Sequence, residues 1–194
     1  MNNYEYIIAG LPDLAKGSYS ASGLDADGIV GEIREQCDVS DRKTIDLLLE
    51  GFDTEKLGAE FYTGALSCPN RFIREYFKFD LGLRNTKVRF INKSLNRIPD
   101  QDVLILEGRE DEEFEEEARA DAVLGTGDIL ERERGLDNMM WDKIEELTIL
   151  ETFNLDVILG FIARLQIIQR WLRLDPRTGR EMFRKLVEEI RNNR

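Results

Sequence analysis

The chain has 194 residues, with 39 acidic against 27 basic side chains, no histidine, 42% hydrophobic content and a net charge of −12. This is the composition of an ordinary folded protein rather than a disordered or membrane-embedded one, and at this length folding removes roughly 70% of the chain's surface from water. The sign of the charge argues against nucleic acid as a partner, and the lack of histidine removes the usual serine and cysteine triads, the di-iron Glu-x-x-His pattern and His-ligated zinc.

The N-terminal "MNNYEYIIAG" lacks the basic and long apolar regions of a signal peptide, so a cytoplasmic location is expected. "YEYIIAGLPDL" fits a short strand or a first helical turn, because Tyr4, Tyr6 and Ile8 alternate while Ile7, Leu11 and Leu14 keep a helical spacing. After a Gly- and Ser-rich loop, Ile29, Val30, Ile33 and Cys37 predict a short amphipathic helix, and Ser40 reads as the next N-cap. Ile45, Leu48, Leu49 and Phe52 continue the helical pattern. Asp53 or Thr54 is then the expected cap of a helix carrying Leu57, Phe61 and Leu66.

Pro69 suits a first helical turn. Beyond it Phe72, Ile73, Tyr76, Phe77, Leu81, Val88, Ile91 and Leu95 predict one long helix to about Asn96, weakened at Gly82. The run Val103 to Leu106 is too short for periodicity to separate strand from helix. From Glu107 to Asp121 there are nine acids against two arginines, a possible excursion, as loop or helix, from a single helical domain spanning 1–194. As a helix it stacks Glu112 over Glu116 and Glu113 over Glu117, with Glu115 and Arg119 the best compensating pair. The chain should turn at Gly125 to Gly127, and Asp128 restarts a helix through Leu136, Met139, Met140, Ile144, Leu147 and Leu150, with a joint near Asn154.

"FNLDVILGFIARLQIIQRWLRLDP", Phe153 to Pro176, is the most apolar stretch. Leu155 to Leu174 is long enough to span a bilayer, but Arg164 lies near its middle, where insertion costs on the order of 3 kcal/mol. The alternative is a core helix. Val157, Ile158, Phe161, Ile162, Leu165, Ile168 and Leu172 make its apolar face, and Asp156, Gly160, Ala163, Arg164, Arg170 and Arg173 the opposite side. On that reading Ala163→Arg is tolerated and Leu165→Asp unfolds the protein. "DPRTG" then precedes a terminal amphipathic helix carrying Met182, Phe183, Leu186, Val187 and Ile190.

The fold expected is therefore all-α: a multi-helix bundle of long antiparallel helices with at most minor strand content. No dinucleotide fingerprint or phosphate-binding Gly-rich loop occurs. "GLDADGIVGEIR" resembles a calcium loop through Asp25, Asp27 and Gly28, but its twelfth position is Arg34, where a bidentate Glu is required. Isolated Cys37 and Cys68 indicate reduced thiols. The sequence thus points to no catalytic, cofactor-binding or metal residues. A carboxylate-based metalloenzyme lacks its usual His ligands. The candidates for partner contact are Glu112, Glu113, Glu116 and Glu117 in the acidic segment, and Arg164, Arg170, Arg173 and Arg177 in a C-terminal region holding nine bases against four acids from Phe161 onward.

"YEYIIAGLPDL", "PNRFIREYFKFDLGLRN" and "IIQRWLRLDPRTGREMFRKLVEEI" together resemble an uncharacterised bacterial family whose genes lie within V-type ATPase operons, and the likeness runs over most of the chain. More remotely, the Tyr-x-Tyr start followed by helices is similar to the C-type (or d-type) socket component of V/A-type ATPases, the helical piece between central stalk and membrane rotor ring. That socket is longer and built from three similar helical units, a repeat absent here. The resemblance implies a noncatalytic stalk or rotor component, or an assembly factor, of a V-type ATPase. Its partners would be other proteins of that complex at the cytoplasmic face of the membrane, with no insertion into the bilayer and no cofactor. The alternative expectation is a stand-alone helical regulatory protein that binds a basic partner through its acidic segment.

Overall fold

The computed structural model describes residues 3–17 and 25–173. Among them the chain forms eight α-helices and no strand: α1 (Tyr4–Ala9), α2 (Ala26–Gln36), α3 (Val39–Glu50), α4 (Ala59–Leu66), α5 (Arg71–Ser94), α6 (Glu117–Leu124), α7 (Ile129–Thr148) and α8 (Leu155–Arg173). The all-α expectation is met. The first segment resolves as helix rather than strand, and Val103 to Leu106 is neither. The terminal helix expected around Met182 to Ile190, and the Gly-rich stretch around Gly23, lie outside the described residues.

Side-chain oxygens start most of the helices. Asn70 accepts from Ile73 N at 2.9 Å and begins α5, Asp128 accepts from Leu130 N and Glu131 N at α7, and Asp25 accepts from Gly28 N at α2. Each such cap contributes about 1 kcal/mol. Three cap expectations need correction. Asp38 rather than Ser40 caps α3, accepting from Asp41 N at 2.9 Å. Asp53 closes a local turn onto Glu55 N, while α4 starts after Gly58. Pro69 precedes the Asn70 cap instead of entering the first turn.

The long helices α5, α7 and α8 set the frame. Arg71 near the start of α5 donates to Leu147 O near the end of α7, and Lys87 further along α5 meets Glu133 near the start of α7, so the two run antiparallel. α7 and α8 are antiparallel as well, since Arg170 meets Asp137 while Gly160 faces Thr148. α6 packs against α5 and α7, α4 against α5, and α1, α2 and α3 against α8.

α8 is thus covered by five helices, and its burial departs from the two-sided expectation. Leu159, Gly160 and Ala163 are buried together with Ile158, Ile162 and Leu165. Ala163, expected to face outward and to tolerate arginine, has 0% of its surface exposed. A helix packed on several sides needs small residues where neighbours come closest, and Gly160 is such a point. A Cβ there would lie 2.6 Å from Thr148 Cγ2. Leu165, also 0% exposed, fits the expectation that Leu165→Asp is disruptive.

α5 runs unbroken through Gly82 for 24 residues. Its core face is Phe72, Ile73, Tyr76, Phe77 and Leu83, whereas Ile91 and Leu95 are exposed, so the predicted stripe leaves the core in its last turn. Polar side chains of α5 organise the connection that follows. The Asn85 amide pairs with both backbone groups of Leu104, at 2.9 and 3.0 Å, much as a neighbouring strand would. Asn92, buried, donates to Pro99 O and Gln101 O. These bonds satisfy backbone groups of a turn and an irregular run that have no sheet to join.

Candidate functional site

The acidic segment is irregular up to Glu116, and only α6 beyond it is helical. The stacked carboxylates expected of a longer helix are therefore not formed. Arg119 pairs with Glu116 at 3.5 Å and with Asp142 at 2.6 Å, not with Glu115. The segment lies along α5, whose bases meet three of its nine acids: Lys78 meets Glu112 at 3.5 Å, Arg89 meets Glu117 at 3.5 Å and Lys93 approaches Asp121 at 3.9 Å. Between these contacts Phe114 is set edge-on against Phe79, with ring centroids 5.2 Å apart, and rests on Gly82. A Cβ at Gly82 would be 2.3 Å from the Phe114 ring, so the glycine expected to weaken α5 instead provides a notch.

A second assembly lies where α5, α7 and α8 meet the end of α3. Tyr62 donates to Asp80 Oδ2 at 2.6 Å, and Arg84 Nε donates to the same oxygen at 2.7 Å. Opposite, Asp137 accepts from Trp171 Nε1 and from Arg170. Asp80, Arg84, Asp137 and Arg170 border a cleft of about 310 Å³, and Tyr76 is also part of its lining. Burial, reinforced by the negative charges of Asp80 and Asp137, holds the Tyr76 hydroxyl well above the ordinary tyrosine range. Tyr62 is raised for the same first reason, then by Asp80. Burial also pushes the Asp137 carboxyl up, and the Arg170 pair and the Trp171 bond only partly oppose it. Both tyrosines stay protonated at neutral pH, and both aspartates are tied to guanidinium groups. The contacts are two ion-paired groups, one tying α4 to α5 and the other tying α7 to α8, that face each other across the cleft.

The candidate residues therefore fall in separate places. Glu112, Glu116 and Glu117 are paired within the chain, and Glu113 lines two depressions that Phe114 also borders. Arg170 and Arg173 stand at the cleft, Arg173 also 3.9 Å from Asp27. Arg164 is half-buried, donates to Gly160 O at 3.2 Å and lies 5.8 Å above the Trp141 ring. Its guanidinium is shifted down by burial, with Glu145 opposing. Arg177 lies outside the described residues. The bases that meet the acidic segment were missed by composition, yet Lys78, Arg89 and Lys93 are separated by steps of 11 and 4 residues, which place them on one face of a helix.

A third feature is apolar. At the turn between α7 and α8, Ile149, Leu150 and Phe153 are 77%, 90% and 55% exposed. Leu150, expected to continue the apolar pattern of the helix after Asp128, is the most exposed of the large hydrophobic residues described. Asp25 and Asp27 of the calcium-like stretch serve instead as the α2 cap and as a partner of Gln169 and Arg173. Among the described residues no group of three or more Cys, Asp or Glu is arranged to hold a metal ion, and no helix is long and apolar enough to cross a membrane.

These features define a class: an all-α protein whose distinctive surfaces are an acidic segment partly paired with bases of α5, an ion-paired cleft and an exposed apolar turn. Residues 110–194, which take in Phe114, α6, α7 and α8, match the model of a family described as "Protein of unknown function (DUF2764)". No curated protein and no solved structure matches the chain.

Proposed function

We propose that the protein is a noncatalytic, socket-like stalk or rotor component, or an assembly factor, of a V-type ATPase, and that it works through protein–protein contacts. The observation that carries this reading is the exposed Ile149, Leu150 and Phe153 turn at one end of the antiparallel α5, α7 and α8 frame. A rigid helical body that presents a clustered apolar end is the form an adaptor needs, since exposed apolar clusters mark interaction surfaces. The likeness of the opening, the start of α5 and the C-terminal stretch to the operon-linked family supports the choice of partner. The pairing of Glu112, Glu116 and Glu117 with bases of the same chain favours this reading over a stand-alone protein that offers residues 107–121 to a basic partner.

The test is affinity purification of the tagged full chain from native membranes, followed by identification of what co-purifies. Rotary ATPase proteins should be recovered with the wild-type chain and reduced at least tenfold, about 1.4 kcal/mol of binding, with Leu150→Asp. Recovery without any rotary ATPase protein would refute the assignment.

A further inference from the structure

We propose that the face of α5 beneath residues 109–116 is a docking groove for an acidic partner segment carrying an aromatic anchor, and that the chain's own segment occupies it as an intramolecular competitor. The groove shows what it recognises through what it holds. Gly82 opens a notch filled by the Phe114 ring, Phe79 supplies the edge-on aromatic contact, and Lys78 receives the Glu112 carboxylate. A single aromatic ring flanked by acids is therefore the complementary ligand.

The occupant is lightly held. Phe114 is only half-buried and borders two depressions, each also bordered by Lys78 and Glu113. The Lys78–Glu112 pair is exposed on both sides, and pairs of this kind contribute little and are screened by salt. The segment also has natural limits. Gly108, at φ 76°, forms the turn at one end, and at the other α6 is anchored separately through buried Ala120 and Leu124. Residues 109–116 can lift away while α6 stays in place. Recognition by this groove does not depend on the rotary ATPase reading.

The experiment measures binding of a fluorescent peptide with the sequence of residues 107–121 to the full chain by anisotropy at low salt. The chain carries a net charge of −12, so general electrostatics repel the acidic peptide and binding reports the local groove. Removing the competitor's anchor with Phe114→Ala raises the open fraction, and the peptide should bind that variant about tenfold more tightly than wild type. Adding Lys78→Glu, or replacing the peptide's phenylalanine with alanine, should abolish the gain. Glu112→Lys serves as the opened chain if circular dichroism shows Phe114→Ala unfolded. Equal affinity for closed and opened chains, or binding that survives Lys78→Glu, overturns the proposal. Wild-type dimerisation in sedimentation that Phe114→Ala abolishes would also overturn it, by making a second copy the occupant.

Discussion

Replacing Gly160 with alanine sets two effects of opposite sign against each other. In an open helix interior the change stabilises by about 0.5–1 kcal/mol, because glycine loses more backbone freedom on folding. At Gly160 the new Cβ would lie 2.6 Å from Thr148 Cγ2, 3.2 Å from Ile144 Cγ2 and 3.6 Å from Phe72 Cε2. Carbon atoms in good contact sit about 3.5–4.0 Å apart, so α7 and α8 must separate or Thr148 must rotate. Rotation is opposed by the Thr148 hydroxyl, which donates to Ile144 O at 2.8 Å. Overpacking of this kind costs about 1–3 kcal/mol. The propensity gain offsets part of it and leaves a net loss of about 1 kcal/mol, or a fall in Tm of about 2–4 °C for a chain of this size.

Gly31 on α2 is the control, because an added Cβ there meets nothing within 4 Å. Urea titrations followed by far-UV circular dichroism should show Gly31→Ala more stable than wild type and Gly160→Ala less stable. Thr148→Ser removes the obstructing methyl and keeps the hydroxyl, so combined with Gly160→Ala it should recover most of the loss, with a coupling of at least about 0.5 kcal/mol. If Gly160→Ala stabilises as much as Gly31→Ala, the close approach of α7 and α8 is wrong.

Asp142 supplies a pH prediction. Its partial burial pushes the carboxyl up, but hydrogen bonds from Lys16 and Arg119 outweigh this and hold it below the usual aspartate range. A lowered folded value means the contribution is complete above the unfolded pKa and is lost as pH falls through the folded one. The stability gap between wild type and Asp142→Asn, up to about 1 kcal/mol at neutral pH after screening, should close as pH drops below about 4; a gap unchanged in acid would contradict it. The thiols supply another prediction: Cys37 is buried and its thiol is raised by burial, whereas Cys68 is only half-buried. Native protein should react quickly at Cys68 and at Cys37 only after denaturation, and a peptide map of labelled thiols showing the reverse would count against the packing of Cys37.

Helical periodicity made the fold class and most helices legible, because apolar spacing records which face is buried. It failed on α8 for a physical reason. A helix covered by five neighbours has little outward side, and small residues such as Gly160 and Ala163 mark close approach there, although the same residues on a surface helix would mark exposure. Leu150 and Leu95 erred in the other direction, since both continue a helical spacing past the point where the helix or its neighbours end. The acidic segment was legible as charge but not as structure. Its conformation depends on Lys78, Gly82 and Arg89, distant in sequence and recognisable only once α5 is known to be one helix.

Arg164 carries both lessons at one position. It disqualifies the apolar stretch as a membrane span, yet it also occupies a partly desolvated place in the bundle, where its charge is disfavoured by burial. The compensation is local: the guanidinium lies over the Trp141 ring, and the indole N–H donates to Glu145 Oε1 at 2.8 Å, so a cation, an aromatic face and an acid are held in sequence. A cation–π contact of this kind contributes about 0.5–2 kcal/mol, more as water is excluded. A side chain already committed to α7 in this way has little to offer a partner. The same holds for Arg170, bound to Asp137. The apolar turn at Ile149, Leu150 and Phe153 is by contrast the surface with most to gain from being covered.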